Sequence, residues 1–187
     1  MDWNELENNC SKCTACSLCS TRTNLVFGIG NKDANIMFIG EGPGEQEDLQ
    51  GEPFVGRAGK LLDVMLKIMY LDRKDVYIAN IVKCRPPLNR DPLPEEKSAC
   101  SKWLDNQIEL VNPKIIVCLG RISASSLISP DFKITKMHGQ WVEKGGIKYI
   151  AIYHPSALLR DITKRPDTFI DLKKITKEYK QFKTEKI

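Results

Sequence analysis

The sequence predicts an α/β protein: a three-layer α/β/α sandwich around a central four-stranded, mostly parallel sheet. Three observations carry that expectation. Apolar runs recur at 36–39, 76–82, 115–119 and 148–153, interrupted only by Asn80 and by Lys148 at the start of the last, each about the length of a strand. Between them lie segments whose apolar residues follow the helical period. Strand and helix alternate along the chain, the pattern of a parallel sheet covered by helices.

The first run, Ile36-Met-Phe-Ile39, stops at Gly40, and three glycines and a proline fall within five residues. Side chains are nearly absent there, so another group can approach the backbone closely. Glu41, Glu45, Glu47 and Asp48 are set among these turns. The carboxyl end of a strand is where open α/β sheets bind ligands, so this loop is the first candidate for chemistry. Its glycine spacing fits neither GxGxxG nor a Walker A loop, and its carboxylates oppose a phosphate. From this stretch alone, a tight turn with a solvated acidic face is the simplest reading.

Gly56 to Met69 reads as a helix, with Leu61, Leu62, Met65, Leu66 and Met69 on one stripe. Val76 to Val82 is the second strand, with Asn80 near its end. A buried strand has little use for Asn unless the amide is paired. Asn80 therefore either closes the following turn or reads a ligand through both halves of its amide. Prolines 86, 87, 92 and 94 make 85–94 a rigid loop, and Pro94-Glu95-Glu96 opens a helix whose inner face carries Cys100, Trp103, Leu104, Ile108 and Val111. Ile115 to Leu119 is the third strand, followed by a short helix over Gly120 to Ile128.

Lys148 to Tyr153 is the fourth strand and ends at His154-Pro-Ser-Ala-Leu-Leu-Arg160. His154 thus falls on the same sheet edge as the glycine loop, and the two are expected to face each other across one cleft. His138, in Lys-Met-His-Gly-Gln-Trp, falls in a turn and receives no role. The last helix, about 167–183, sets Leu172, Ile175, Tyr179 and Phe182 on one stripe. Lys173, Lys174, Lys177, Lys180 and Lys183 occupy its remaining surface, which reads as core packing with a solvated basic face.

Composition bounds the function classes. The 187 residues are expected to form one domain, 1–187, and 42% hydrophobic with 28% charged residues describe a soluble globular chain. A net charge of +4 permits a nucleic-acid partner without specifying one. The opening residues carry no basic and apolar leader pattern, and no apolar run approaches membrane-spanning length. A cytoplasmic location without membrane contact is expected.

Seven cysteines in such a chain point to metal or redox chemistry rather than a disulfide framework. Cys10, Cys13, Cys16 and Cys19 repeat every third residue and could hold a cluster alone. The ferredoxin run C-x2-C-x2-C-x3-C-P is missed by one residue, however, and by the proline. Alternatively Cys13 and Cys16 join Cys84 and Cys100 and tie the N-terminal segment to the domain. Zinc suits four thiolates equally well on spacing. Cys118, inside an apolar strand, reads as a small buried hydrophobe.

Gly40-Glu-Gly-Pro-Gly-Glu-Gln-Glu-Asp48 and His154-Pro-Ser-Ala-Leu-Leu-Arg160 resemble the two signature motifs of the uracil-DNA glycosylase superfamily. Between them, Gly51 to Leu62, Val76-Tyr-Ile-Ala-Asn80 and Lys83-Cys-Arg-Pro-Pro-Leu-Asn-Arg90 are similar to its iron–sulfur branch, family 4. The likeness runs from about Cys13 to Arg160 with every motif in order.

That resemblance implies the superfamily's fold and a monofunctional hydrolysis of the N-glycosidic bond to uracil in single- or double-stranded DNA, leaving an abasic site for base excision repair. It implies a structural [4Fe-4S] cluster on Cys13, Cys16, Cys84 and Cys100, with Cys10 and Cys19 unassigned. Phe54 is implied as the shelf under the flipped uracil, with Gly42 and Pro43 lining the pocket and Asn80 pairing the base edge. His154 is implied as donor to uracil O2, and Glu41 as the group acting on water and sugar. The best-studied branch has an aspartate where this chain has Gly42, a departure that leaves the identity of the general base open. Glu47 and Asn89 are implied as supports of the motif loop; Ser156, Leu158, Leu159 and Arg160 as the DNA-contacting wedge. A monomer is expected, with a sliding clamp or other repair protein as a partner that no motif specifies.

Two rivals stand beside this reading. One is a non-catalytic iron–sulfur electron carrier built on the N-terminal cysteines. The other is a relative that attaches covalently to DNA through a histidine on an insertion after the first motif. Gly51 to Gly59 carries neither insertion nor histidine.

Overall fold

The structure, a computed structural model, describes residues 1–183; the last four residues of the expected domain, 184–187, and the side chain of Lys183 lie outside the described residues. The four expected strands form the parallel centre of the sheet: β2 (Ile36–Gly40), β3 (Tyr77–Asn80), β4 (Ile115–Leu119) and β6 (Ile147–Ile152). Their order is β3-β2-β4-β6, all parallel neighbours.

The sheet has six strands, not the four expected. β1 (Ile29–Gly30) pairs antiparallel with β3, and β5 (Trp141–Lys144) pairs antiparallel with β6. Both lie at edges, where one side needs no apolar cover, so neither leaves a continuous apolar run in the sequence. The signal for β5 was present in another form. Gly145 and Gly146 both have positive φ, 57° and 78°, the conformation of a two-residue hairpin turn.

Alternate residues of each central strand point to opposite faces and build two cores. Met37, Ile39, Ala79, Ile116 and Cys118 pack with Leu6 and Cys10 of α1 (Trp3–Ser11) and with Trp103, Leu104 and Val111 of α4 (Pro94–Val111). Ile36, Phe38, Ile78, Val117 and Ile150 pack with Leu62, Met65 and Leu66 of α3 (Arg57–Ile68), and with Leu172, Ile175 and Tyr179 of α8 (Arg165–Lys183). This is the three-layer arrangement that the apolar runs predict. Cys118 is fully buried, and burial pushes its thiol up to about 12, so it serves as a small apolar side chain.

The remaining helices are short: α2 (Glu45–Gln50), α5 (Arg121–Leu127), α6 (Ile134–Met137) and α7 (Pro155–Arg160). On α8, Lys173, Lys174, Lys177 and Lys180 are exposed as expected, but Asp171 is buried and meets His138 Nδ1 at 2.6 Å. The histidine given no role from sequence thus fastens α8 to the turn before β5. It also lies against Tyr153, ring centroids 4.9 Å apart.

From β2 the chain crosses to β3 on one side, then to β4 on the other. The carboxyl ends of β2 and β4 are therefore the switch point of the sheet, where adjacent loops diverge and leave a crevice.

Candidate active site and cysteine pocket

A cleft of ≈ 580 Å³ opens at that switch point and brings together Glu41, Gly42, Pro43, Phe54, Asn80 and His154. Glu47, Asn89, Ser156 and Arg160 also line it, so motifs separated by more than a hundred residues share one cavity.

Gly40 lies directly beside Asn80 in the β2–β3 register. A Cβ on Gly40 would stand 2.5 Å from Asn80 Oδ1 and 2.6 Å from Phe54 Cζ. Only glycine lets the amide and the ring share this space. Asn80 is 2% exposed, and its Oδ1 has no hydrogen-bond partner among the described residues. A buried acceptor without a partner costs about 1–3 kcal/mol, a cost natural folds rarely carry without a ligand to relieve it.

Phe54 is held on the opposite wall by its backbone. It adopts φ 56°, its carbonyl accepts from Arg73 Nη2, and Pro53 O accepts from Arg73 Nη1 at 3.0 Å. Glu47 Oε1 accepts from the N–H groups of Val55 and Gly56, both at 2.9 Å, which fixes the segment just after the ring. Asn89 supports its own loop instead, its Oδ1 accepting from Arg85 Nε at 2.8 Å. Asp48 is buried away from the cleft and accepts from the N–H groups of Thr23 and Asn24. The acids of the first motif therefore divide the work: Glu41 and Glu47 both line the cleft, and Glu47 spends Oε1 on the backbone of Val55 and Gly56.

The His154 ring lies 5.7 Å from that of Phe54. Its Nδ1 accepts the Ser156 N–H at 3.1 Å and lies 2.7 Å from Ser156 Oγ. With Nδ1 an acceptor, the neutral ring carries its proton on Nε2. Burial, reinforced by the Arg160 cation, pulls His154 down to about 4, so the ring is neutral at physiological pH. Glu41 moves the other way. Burial and the Asp91 charge push it up to about 7, against the opposing pull of Arg121, Arg160 and Lys97.

Leu158 requires a correction. The resemblance implies Leu158, with Leu159 and Arg160, as a DNA-contacting wedge, yet Leu158 is 2% exposed and belongs to the core under α7. A six-residue helix lying on a sheet must bury one face, and Leu158 occupies it. Leu159 is half-buried and Arg160 exposed. Sequence reasoning also missed Arg121 and Asp91, paired at 2.7 Å on the cleft rim. Arg121 directly follows Gly120 at the end of β4, and that place at a strand's carboxyl end was the available signal. A side chain at position 42 would put its Cβ 2.7 Å from Val82 Cγ2, so this wall is shaped for glycine.

Behind the cleft wall, Cys13, Cys16, Cys84 and Cys100 line a second, smaller pocket together with Cys19. Cys10 is fully buried and outside that lining; burial pushes it up to about 12, leaving it a thiol. Three N–H groups point at three of the sulfurs: Arg22 Nη1 at 3.2 Å from Cys84, Trp103 Nε1 at 3.3 Å from Cys13, and the Lys83 amide at 3.3 Å from Cys100. Such donors stabilise negative sulfur, and among the described residues no carboxylate lines the pocket. Among the described residues no three His, Cys, Asp or Glu side chains stand at the separation that one metal ion requires.

The two pockets share a strand end. Asn80 faces the cleft, and Cys84 the cysteine pocket, only four residues later. Between them Lys83 is fully buried, its Nζ bonded to Asn80 O at 3.0 Å and Gln107 Oε1 at 2.6 Å.

The family model described as "Uracil DNA glycosylase superfamily" matches residues 27–177. A type-4 uracil-DNA glycosylase of Thermotoga maritima is 53% identical over 152 residues, covering 80% of this chain and 79% of that protein. The type-4 enzyme of Archaeoglobus fulgidus is 50% identical over 171 residues, 87% and 86% of the two chains. That of Sulfurisphaera tokodaii is 49% identical over 172 residues, 87% and 78%. A crevice whose walls come from both signature motifs is thus matched by relatives across most of the chain, and the chain belongs to the uracil DNA glycosylase superfamily, in its type-4 branch.

Proposed function

We propose that this chain is a DNA repair enzyme, a single domain over 1–187, that hydrolyses the N-glycosidic bond to uracil and leaves an abasic site. The observation that carries it is the unpartnered, buried Asn80 Oδ1 in a cleft whose other wall holds a neutral histidine. Uracil supplies a matching edge: its N3–H would donate to Oδ1 and its O4 accept from the Asn80 amide. Phe54 offers the face on which a flipped base stacks.

Departure of uracil leaves an anion on the base and cationic character on the sugar. His154 Nε2–H would donate to O2 as that anion forms, while Ser156 holds Nδ1 as the acceptor. A neutral donor does this without bringing a positive charge into a dry site. The Glu41 carboxylate would face the sugar, where it stabilises the cation and takes a proton from the attacking water. A value near 7 leaves it able to serve as a base at neutral pH. Arg160 at the end of α7 and the half-buried Leu159 would contact the strand.

We further propose that Cys13, Cys16, Cys84 and Cys100 hold a [4Fe-4S] cluster. Soft sulfur donors and N–H groups aimed at them suit iron–sulfur chemistry. Cys13, Cys16, Cys84 and Cys100 would hold the cluster, and their thiolates would supply its soft ligands. When bound, the cluster would fasten the N-terminal segment and the 85–93 loop to the domain, with no electron passing in the reaction. No helix among the described residues is long and apolar enough to cross a membrane.

A uracil-release assay on a uracil-containing oligonucleotide tests the proposal. Free uracil and an alkali-labile abasic site are expected. Borohydride should trap no protein–DNA adduct, although Lys164 lines the cleft. An intact oligonucleotide after prolonged incubation with iron-replete protein would overturn the reading and revive the electron-carrier rival.

A further inference from the structure

Leu88 is 96% exposed, the most exposed large apolar side chain among the described residues. It is also held in a conformation leucine avoids: φ 54°, followed by Asn89 at φ 55°. Two successive non-glycine residues in the left-handed region are strained, and such strain persists only where neighbours over-determine it.

The neighbours do so here. Pro86 and Pro87 restrict the backbone before Leu88. The Asn89 N–H donates to Pro86 O at 3.1 Å, and the Asn89 side chain is tied to Arg85. Arg90 meets the buried carboxylate of Glu96 at 2.7 and 2.9 Å. The whole loop is bracketed by Cys84 and Cys100, which share the cysteine pocket. Leu88 is thus displayed rigidly, and a preorganised side chain loses little entropy when it inserts.

Its place is equally specific. Pro86, Asn89 and Arg90 line the cleft, whereas Leu88 does not. Its side chain is exposed to solvent next to cleft-lining residues without itself lining the cleft. The loop follows β3 and α7 follows β6, with β2 and β4 between them. Three strand spacings separate the two, roughly 14 Å. With Leu158 buried, α7 presents only the half-buried Leu159 and Arg160, so its own wedge is incomplete.

We propose that Leu88 is a second wedge, inserted between base pairs of duplex DNA on the side of the cleft opposite α7. The inference rests on the uracil-excision reading and extends it to the substrate form: Leu88 serves duplex DNA and is dispensable for single strands. Apolar side chains entering a base step unstack it, which a flipped nucleotide in a duplex requires and one in a single strand does not. Arg160, exposed and lining the cleft, supplies a cation near the mouth for the flanking phosphates.

The test compares single-turnover uracil release from one oligonucleotide, single-stranded or annealed, for wild type, L88G and L88M. Glycine removes the side chain yet accepts the left-handed backbone, so the loop keeps its shape. L88G should lose about 10-fold or more on duplex while staying within about 2-fold on the single strand, and L88M should recover most of the duplex rate. Equal losses on both forms, or an unchanged duplex rate, would overturn the wedge while leaving the glycosylase reading intact. No uracil from wild type on either form would overturn the parent reading, and the wedge with it.

Discussion

The cleft and the cysteine pocket sit on either side of one strand end, yet they treat their polar groups in opposite ways. In the cleft, Asn80 Oδ1 is buried with no partner, and Gly40 keeps the space before it empty. In the cysteine pocket, three of the sulfurs already receive an N–H. The contrast separates a site for a transient ligand from one for a permanent group. A substrate must find unmet hydrogen-bonding capacity, so the cleft carries that cost in the free protein. A resident cofactor becomes part of the fold, so its surroundings are prepared for the charge it brings. Lys83, bonded to Asn80 O, joins the two regions physically.

The largest expected effect breaks the comparison from the cofactor side. Ser at Cys13, Cys16, Cys84 or Cys100 should abolish the brown absorbance of purified protein and greatly reduce the cooperatively folded fraction, because cluster binding and folding are one equilibrium. Cys10→Ser and Cys19→Ser should keep the colour, read by visible absorption and iron analysis. Colour lost at Cys10 but kept at Cys84 would restore the N-terminal quartet. Stoichiometric zinc in protein prepared without oxygen would replace iron in the proposal.

Changes in the cleft should do the reverse, lowering reactivity while leaving fold and colour unchanged. His154→Ala removes a preorganised donor to the leaving base, and single-turnover uracil release should fall by ~10²–10³. Asn80→Asp sets a carboxylate against uracil O4, and a loss of at least ~10-fold is expected. Gel-shift affinity for uracil-containing DNA should change less than rate in both variants. Wild-type excision by Asn80→Asp would remove Asn80 from base recognition.

How far this contrast could be read from sequence follows from what each part depends on. The four central strands were legible because burial on both faces favours apolar runs such as Ile36–Ile39, with Asn80 and Lys148 as the polar exceptions. The edge strands carry no such demand, and Trp141–Lys144 announced itself only through the Gly-Gly turn after it. The cleft was legible as a set of strand-end residues, since topology alone gathers strand ends. The division of labour among Glu41, Glu47 and Asp48 was not, because it depends on partners as remote as Thr23 and Val55. Leu158 and Leu88 show the same limit from opposite directions. Both are leucines in recognised motifs, and only packing decides that one is core and the other displayed.

A third expectation concerns pH and sharpens the roles within the cleft. Glu41 must be ionised to act on the sugar and water, so the single-turnover rate should rise with pH through about 7 and then level off. His154 is already neutral above about 4, so no loss should accompany the passage through 6.5. Glu41→Gln should flatten the limb near 7, and Ser156→Ala should leave its midpoint in place. A rate that fell as pH rose through 6.5 would mean that a protonated histidine is the donor.

The smallest expected effect is on stability, and it bears on why the cleft is built at a cost. Burial raises Glu41 above its unfolded value, so its contribution to stability is fully present below the unfolded value and is lost as pH rises through about 7. Above that pH the folded protein holds a carboxylate it would rather protonate. Glu41→Gln keeps the shape and removes the charge, so it should raise the melting temperature at pH 8, with the gain shrinking as pH approaches 4.5. The same substitution should slow uracil release. Opposite signs at one residue would identify Glu41 as a group whose burial serves the reaction at the fold's expense. A melting temperature lowered by Glu41→Gln at pH 8 would instead make Glu41 a structural partner of Arg121 and Arg160, and the base would have to be sought elsewhere on the cleft wall.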